Sequence, residues 1–130
     1  MKIGDKVSLS RKITEANIQE CAKLTQDRNP LHMDEMFAKG HRFGKRIAHG
    51  ILTLGLISAL LGNKFPGPGT IILSMDLKFM APVFIDDTIT AEVEVVGIKE
   101  GKGIITLKVE CRNQNKTDLI SGIIVVLYKD

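Results

Sequence analysis

Residues 50–62, GILTLGLISALLG, constrain the fold more than any other stretch of the chain. Apart from glycine, only Thr53 and Ser58 interrupt the apolar residues of this run, which lie on all sides of a helix. A helix that is apolar all round has to be covered on every side. At 13 residues the run is too short to cross a bilayer. We therefore expect a central helix, over about 48–61, that is wrapped by a sheet.

Alternating apolar and polar residues predict the strands of that sheet. A short strand around Val7 and Leu9 comes first. The other strands are predicted over 70–80, 88–98, 105–112 and 119–128, with turns at 100–103 and 113–118. The inward faces of the two middle strands are predicted to be Ile89, Ala91, Val93 and Val95, and Ile105, Leu107, Val109 and Cys111. Because helices precede this meander, the class is α+β, an antiparallel sheet of about five strands wrapped around a central apolar helix.

Two shorter helices are predicted before the central one. Thr14 is of a type that caps helix N-termini, and Ile13 and Ile18 have the spacing of a hydrophobic staple. The inner stripe of this first helix is expected to be Ile18, Cys21, Ala22 and Thr25. A turn follows, and Asp34 then precedes a short helix that ends near Gly40.

The composition indicates one globular domain over residues 1–130, since 44% of the residues are apolar. The net charge of +3 and the scarcity of aromatic residues argue against a nucleic-acid partner, although a weak basic bias suits a ligand that carries phosphates. Cys21 and Cys111 are expected to be free, buried thiols. Together with an N-terminus that lacks the apolar segment of a signal peptide, they predict a cytoplasmic protein with no membrane partner.

The segment 27–32, DRNPLH, places a carboxylate and an imidazole five positions apart. Pro30 fixes its own φ and favours an extended Asn29, so the loop is stiff. We expect Asp27 and His32 to be exposed in this loop. A carboxylate beside an imidazole can supply a base and an acid for adding water to a substrate. Taken alone, the motif favours an ordinary turn, with Asp27 as a turn or capping residue and His32 on the surface.

Residues 48–50, Ala-His-Gly, lie at the head of the central helix. The exposed N–H groups of a helix N-terminus stabilise developing negative charge, and Gly50 allows a substrate to approach the backbone closely. This segment is therefore a possible oxyanion hole, or Gly50 simply packs against a strand. Ser58 lies two turns further along the helix, where a serine usually bonds back to its own helix carbonyl.

Four blocks of the sequence carry a resemblance to a known family: DRNPLHMDEMFA, RIAHGILTLGLISALLG, PGPGT and LKFMAPVFIDDTITAEVEV. In this order they resemble the MaoC-like (R)-specific enoyl-CoA hydratases, which have the hot-dog fold. The resemblance runs from about Val7 to Leu127. It implies a hydro-lyase that hydrates trans-2-enoyl-CoA to (R)-3-hydroxyacyl-CoA and runs reversibly, in fatty-acid metabolism.

The resemblance also implies the roles of individual residues. Asp27 and His32 would form the catalytic dyad, the backbone N–H of Gly50 would be the oxyanion donor, and Ser58 would support the dyad. We add Asn29 and Pro30 as residues that position the dyad. The proposed chemistry needs no metal and no redox cofactor, since coenzyme A is part of the substrate. His32, His41 and His49 do not form a recognisable metal triad in the sequence, and His41 is most simply a loop histidine.

Several further expectations concern partners. The last strand is apolar on both faces, which indicates a covered outer face and, with the resemblance, a homodimer. Residues of the basic loop are candidates for contacts with CoA phosphates, unless the loop is simply solvated: Lys39, Arg42, Lys45 and Arg46. Two other functions remain open, an acyl-CoA thioesterase with the same fold and a non-catalytic acyl-CoA-binding domain. The first would lack the complete D-x-N-P-x-H block, and the second would tend to lose Asp27 or His32.

Overall fold

The computed structural model describes residues 1–129, and Asp130, the last residue of the predicted domain, lies outside them. Its sheet has five antiparallel strands in the spatial order β1-β3-β4-β5-β2. The strands are β1 (Lys6–Lys12), β2 (Ile71–Phe79), β3 (Thr88–Lys99), β4 (Ile104–Arg112) and β5 (Asp118–Leu127). The helices are α1 (Glu15–Thr25), α2 (Pro30–Met33), α3 (Glu35–Lys39) and α4 (Gly50–Ala59), and α4 continues into a π-helical turn, Leu60–Lys64. The predicted α+β hot-dog architecture is confirmed.

The core lies between the inner face of the sheet and α4. All eight residues predicted for the inward faces of β3 and β4 are buried. They pack in one cluster with Leu56 and Ile57 of α4 and with Leu60 and Leu61 of the π-helical turn. Register shifts occur in β3 between Val95 and Gly97 and in β2 between Ile72 and Ser74. Such bulges increase the local twist and help a sheet to curl around a helix.

Helix α1 begins as its sequence predicts. Thr14 is the N-cap, its hydroxyl accepts from the Asn17 N–H at 3.1 Å, and the Asn17 side chain accepts from the Thr14 N–H at 3.0 Å. Ile13 and Ile18, the predicted staple, are both buried. The predicted inner stripe is wrong at Thr25, which is exposed and donates its hydroxyl to the Cys21 carbonyl.

The predicted turn over 27–32 contains the start of a helix. Asn29 is the N-cap of α2, its side-chain oxygen accepts from the Leu31 N–H at 3.0 Å, and Pro30 occupies the first helical position. Proline is tolerated there because that N–H needs no partner in the helix. The short α3 then begins after Asp34, whose carboxylate accepts from two backbone N–H groups.

Helix α4 is not covered on every side, contrary to the sequence prediction. Its exposed stripe consists of Ile51, Gly55 and Ser58, and Ile51 is 55% exposed. The apolar pattern of residues 50–62 indicates that the helix is buried, but it does not say whether the chain's own sheet or another molecule buries it. In residues 1–129, no helix combines the length and the apolar character needed to span a membrane.

Both cysteines are free and buried, as predicted. Cys111 lies on the inward face of β4, and burial raises the pKa of its thiol to about 12. A thiol in such a site is a packing group and not a nucleophile.

Candidate active site

A cleft of about 420 Å³ opens beside the head of α4. His32, Gly50 and Thr53 line one side of it. The other walls come from Phe79 to Val83, from Leu119 and Ile120, and from Arg42 and Phe43 of the basic loop. The predicted dyad histidine and the predicted oxyanion glycine therefore face the same space.

His32 is held in one orientation. Only 8% of it is exposed, so the expectation of an exposed loop histidine is wrong. Its Nδ1 lies 2.8 Å from the Ile47 carbonyl. Because a carbonyl only accepts, Nδ1 carries a proton, and Nε2 is the nitrogen left to exchange protons with a ligand.

Asp27 is exposed, as predicted, and lies close to His32. Its carboxylate accepts from the Asn29 N–H at 3.2 Å, which gives Asn29 a direct contact with the carboxylate. One carboxylate oxygen of Asp27 and one ring nitrogen each of His32 and His49 lie within 4.8 Å of one another. Two polar atoms at this spacing can both hydrogen-bond a single water molecule. The three groups are also of metal-ligand types, and each ring keeps one nitrogen free of a hydrogen bond to a carbonyl.

Gly50 is the first residue of α4. No carbonyl of its own helix can accept its N–H. A Cβ built on Gly50 would lie 3.1 Å from Cε1 of Phe79, across the cleft wall. The absence of a side chain thus leaves room beside this N–H, where the helix dipole favours negative charge.

Ser58 lies apart from this group. It belongs to the exposed stripe of α4, eight residues beyond Gly50, which corresponds to about 12 Å along the helix axis. It is not among the residues that line the cleft of the single chain. The structure of one chain therefore brings Asp27, His32 and Gly50 together but does not bring Ser58 to them.

Sequence reasoning missed His49 as a contact of the dyad. His49 is 1% exposed, and its Nε2 lies 2.9 Å from the backbone carbonyl of Asp27. Its ring centroid is 4.1 Å from that of His32, with 32° between the ring planes. The only local signal was its position between Ala48 and Gly50 in the quoted motif.

Arg46 was misassigned as a candidate for CoA phosphates. It is 7% exposed, and its guanidinium forms a two-pronged pair with the Glu15 carboxylate at 2.6 and 2.8 Å. It also donates to Glu35 at 3.2 Å and to the backbone carbonyl of His32 at 2.6 Å. The arginine therefore joins α1, α2 and α3 and has no free face for a phosphate.

These contacts shift the pKa values of both Glu15 and Arg46. The hydrogen bond from Arg46, followed by that from Gln19, lowers the pKa of Glu15 from 4.5 to about 2. The Glu15 hydrogen bond raises the pKa of Arg46 above its ordinary value. The pair thus stays ionised at neutral pH.

Other residues of the basic loop remain available at the cleft. Arg42 and Phe43 line it, and the Arg42 guanidinium lies 5.4 Å from the centroid of the Phe43 ring. Lys45 places its ammonium 4.2 Å from the centroid of Phe84. Lys39, Arg42 and Lys45 are exposed, so the prediction that they meet CoA phosphates stays open.

Comparisons with known proteins agree with this fold and site. The family model described as "MaoC like domain" matches residues 2–117. The chain is 45% identical to the (R)-specific enoyl-CoA hydratase of Rhodospirillum rubrum over 85% of its own length and 77% of that protein. It is 40% identical to the (R)-specific enoyl-CoA hydratase of Aeromonas caviae over 97% of this chain and 94% of that one.

A solved structure extends the likeness to three dimensions. The (R)-hydratase of A. caviae, described as involved in PHA biosynthesis, superposes with a TM-score of 0.94 over 99% of this chain and 98% of that chain. The fold and the site define a hot-dog domain in which an imidazole and a helix N-terminus line one cleft and a carboxylate lies within 4.8 Å of the imidazole. The chain belongs to the MaoC-like domain family.

Proposed function

We propose that the protein is a hydro-lyase that adds water to trans-2-enoyl-CoA to give (R)-3-hydroxyacyl-CoA, and that catalyses the reverse dehydration. The observation that carries this proposal is the spacing of the Asp27 carboxylate and the His32 imidazole, within 4.8 Å, beside a cleft that Gly50 also lines. The names of the two relatives, both (R)-specific enoyl-CoA hydratases, support it.

The dyad would act on one water molecule. The water oxygen forms a bond to C3 of the enoyl thioester while the base removes one of its protons. The electron pair of the C2–C3 double bond moves onto the thioester, and the acid then returns a proton to C2. Asp27 is our candidate base and Nε2 of His32 our candidate acid.

The enolate oxygen would be stabilised by the Gly50 N–H. Its charge develops at the positive end of the α4 dipole, in a cleft with largely apolar walls. Asn29 and Pro30 would hold the dyad loop through the α2 cap, and Ser58 would support the dyad. Addition of water involves no change of oxidation state overall, so we expect no redox cofactor. The base, the acid and the oxyanion donor would all come from the protein, so we also expect no metal, with coenzyme A entering as part of the substrate.

We further propose that the protein is a homodimer. Strand β2 is an edge strand, bonded only to β5, and its exposed side chains include Ile71 (55%), Leu73 (51%) and Phe79 (59%). The exposed stripe of α4 adds Ile51. An open edge with large exposed apolar residues is a surface that proteins normally cover with a partner. A cytoplasmic location and a role in fatty-acid metabolism accompany this proposal, since free buried thiols suit a reducing compartment.

The test is hydration of crotonyl-CoA, followed as the loss of enoyl-thioester absorbance, with chiral analysis of the product. We expect (R)-3-hydroxybutyryl-CoA and no release of free coenzyme A. Thiol release at the rate of substrate loss would identify a thioesterase instead. Binding of crotonyl-CoA without either product would identify a non-catalytic acyl-CoA-binding domain.

A further inference from the structure

His49 contacts both residues of the proposed dyad and is joined to Gly50 by a peptide bond. Its Nε2 lies 2.9 Å from the Asp27 carbonyl, its ring lies 4.1 Å from the His32 ring, and its own carbonyl carbon is bonded to the Gly50 nitrogen. The carbonyl of Asp27 only accepts, so Nε2 of His49 carries a proton and donates it. One buried side chain thus joins the loop of the dyad to the peptide whose N–H would face the thioester oxygen.

Helix capping does not account for a histidine at this position. His49 is the N-cap of α4, where serine, threonine, aspartate and asparagine are favoured because their side chains accept from the first turn. The His49 side chain makes no such bond. It turns away from its own helix and toward the dyad loop.

Packing does not account for it either. His49 is 1% exposed, and its Nδ1 is buried with no hydrogen-bond partner among residues 1–129. A leucine or phenylalanine would fill such a site without burying an unpaired nitrogen, which is unfavourable. What an imidazole provides here, and an apolar side chain does not, is the N–H that it donates to the Asp27 carbonyl.

We infer that His49 is a positioning residue for the hydration reaction, which holds Asp27 in place through its Nε2–H and fixes the His32 ring by stacking. This inference rests on the proposed function. Asp27 is itself exposed, and it lies in the segment between α1 and α2, outside both helices. Its other hydrogen bonds among residues 1–129 are local, from its own N–H to the Thr25 hydroxyl and from the Asn29 N–H to its carboxylate. The bond from His49 is therefore the one that ties Asp27 to the head of α4.

Three variants of His49 separate the effect of its N–H from the effect of the shape of its ring. His49→Phe keeps an aromatic ring beside His32 but removes the donor. His49→Gln and His49→Met have unbranched side chains of similar length, of which only the first carries an N–H. The matched control is His41→Phe, because His41 also has a buried, unpartnered Nδ1 but contacts Phe43 and not the dyad.

We expect kcat for crotonyl-CoA to fall by roughly 10²-fold in His49→Phe and His49→Met, since misplacement of a reacting group by about 1 Å has an effect of that size. KM and the melting temperature should change little. His49→Gln should recover at least a tenth of the parental kcat, and His41→Phe should keep the parental kcat. A role in folding alone predicts instead that activity per folded molecule is the same in all four variants.

Hydrogen exchange gives a readout that does not depend on turnover. Amides of residues 27–32 should exchange faster in His49→Phe and His49→Met than in the parent and in His49→Gln, with the sheet unchanged. Parental kcat in His49→Phe, or equal losses in the glutamine and methionine variants, would overturn the inference. If His49→Phe does not fold, the glutamine and methionine pair decides. If the parent protein lacks hydratase activity, the proposed function fails, and the exchange experiment alone judges whether His49 anchors the loop.

Discussion

His32 is restrained by hydrogen bonds to its ring and to its backbone. Its ring N–H donates to the Ile47 carbonyl, its own carbonyl accepts from Arg46, and the Ile47 N–H donates to the Leu31 carbonyl at 3.3 Å. These three bonds fix the ring and the backbone on both sides of it. Such a restraint lowers the entropy cost of reaching a reactive geometry, because the imidazole is already in place before a substrate binds.

At this scale the two dyad residues should respond differently to substitution. Asp27→Asn keeps the shape of the side chain and removes only the charge, and Asp27 is exposed. We expect turnover to fall by roughly 10²–10⁴-fold, with the free energy of unfolding changed by less than about 0.5 kcal/mol. Turnover of crotonyl-CoA and urea unfolding of the same preparation measure the two effects. Near-parental turnover in Asp27→Asn would exclude this carboxylate as a catalytic group.

His32→Ala should lose stability as well as turnover, because His32 is buried and its ring packs on that of His49. The double variant with Asp27→Asn should be little slower than the slower single variant, since residues that act as one unit are not additive. Multiplication of the two single effects would show that the residues act independently.

The lowered pKa of Glu15 leads to a prediction about the stability of the folded protein in acid. Its pKa is about 2 in the folded protein and 4.5 ordinarily, so the folded state favours the ionised form. This contribution is fully present above pH 4.5 and is lost as the pH falls from 4.5 to 2. Glu15→Gln should therefore be less stable than the parent at pH 6, by a margin that shrinks toward pH 2. Chemical unfolding across this range measures the margin, with Glu20→Gln, an exposed change in the same helix, as the control. A constant margin would show that Glu15 acts without its charge.

At the scale of elements, Gly122 of β5 lies directly against the backbone of β2. A Cβ at this position would lie 2.0 Å from the Asp76 carbonyl oxygen and 2.9 Å from the Leu77 Cα, both backbone atoms. Gly122→Ala must therefore move one strand away from the other, and we expect a loss of about 1–3 kcal/mol or more. Gly97→Ala is the matched control, since its Cβ would meet Thr106 only at 3.4 Å. Equal unfolding midpoints for the two variants would contradict this account of the strand contact.

The head of α4 allows a similar test of the oxyanion proposal. Gly50→Ala adds one methyl group that meets the Phe79 ring at 3.1 Å, and Phe79 is exposed and free to yield. Alanine keeps the backbone N–H, so any loss of turnover would come from the methyl group keeping the thioester oxygen away from it. We expect little loss of stability but a fall in kcat/KM, of up to roughly 10²–10³-fold if the oxyanion contact is lost completely. The double variant with Phe79→Ala decides the cause. If it restores turnover, the methyl group acted through Phe79, and close approach of the thioester to the residue 50 N–H is not required.

Local sequence rules predicted the elements that depend on local interactions. The cap at Thr14, the inward faces of β3 and β4 and the turns between the last strands follow from neighbours in the chain. Helix α2 was missed because its N-cap, Asn29, and Pro30 were read as a turn, although proline at the first helical position permits either. Contacts between residues that are distant in the sequence could not be predicted from local patterns. Nothing local distinguishes Arg46, which is buried against Glu15, from Arg42, which lines the cleft.

For the whole molecule, the remaining prediction concerns the proposed dimer and the strand that would form its interface. Leu73→Glu places a charge on the exposed edge strand β2, where a partner would have to bury it. We expect the parent to sediment as a dimer at micromolar concentration and the variant to sediment as a monomer. Val96→Glu is the control, because Val96 is 40% exposed but lies on β3, between two other strands. An active parent monomer at micromolar concentration would refute the proposal.

The network around Arg46 has a consequence for how this protein can diverge. The dyad segment is anchored at His32, and the chain is fixed again at residues 46–50, so residues 39–45 form a tether between two fixed points. Arg42 and Phe43 of that tether reach the cleft. Changes there can therefore alter which substrates enter without displacing the groups that react. The groups that would react lie outside the tether, so laboratory evolution of new acyl preferences can begin at Arg42 and Phe43.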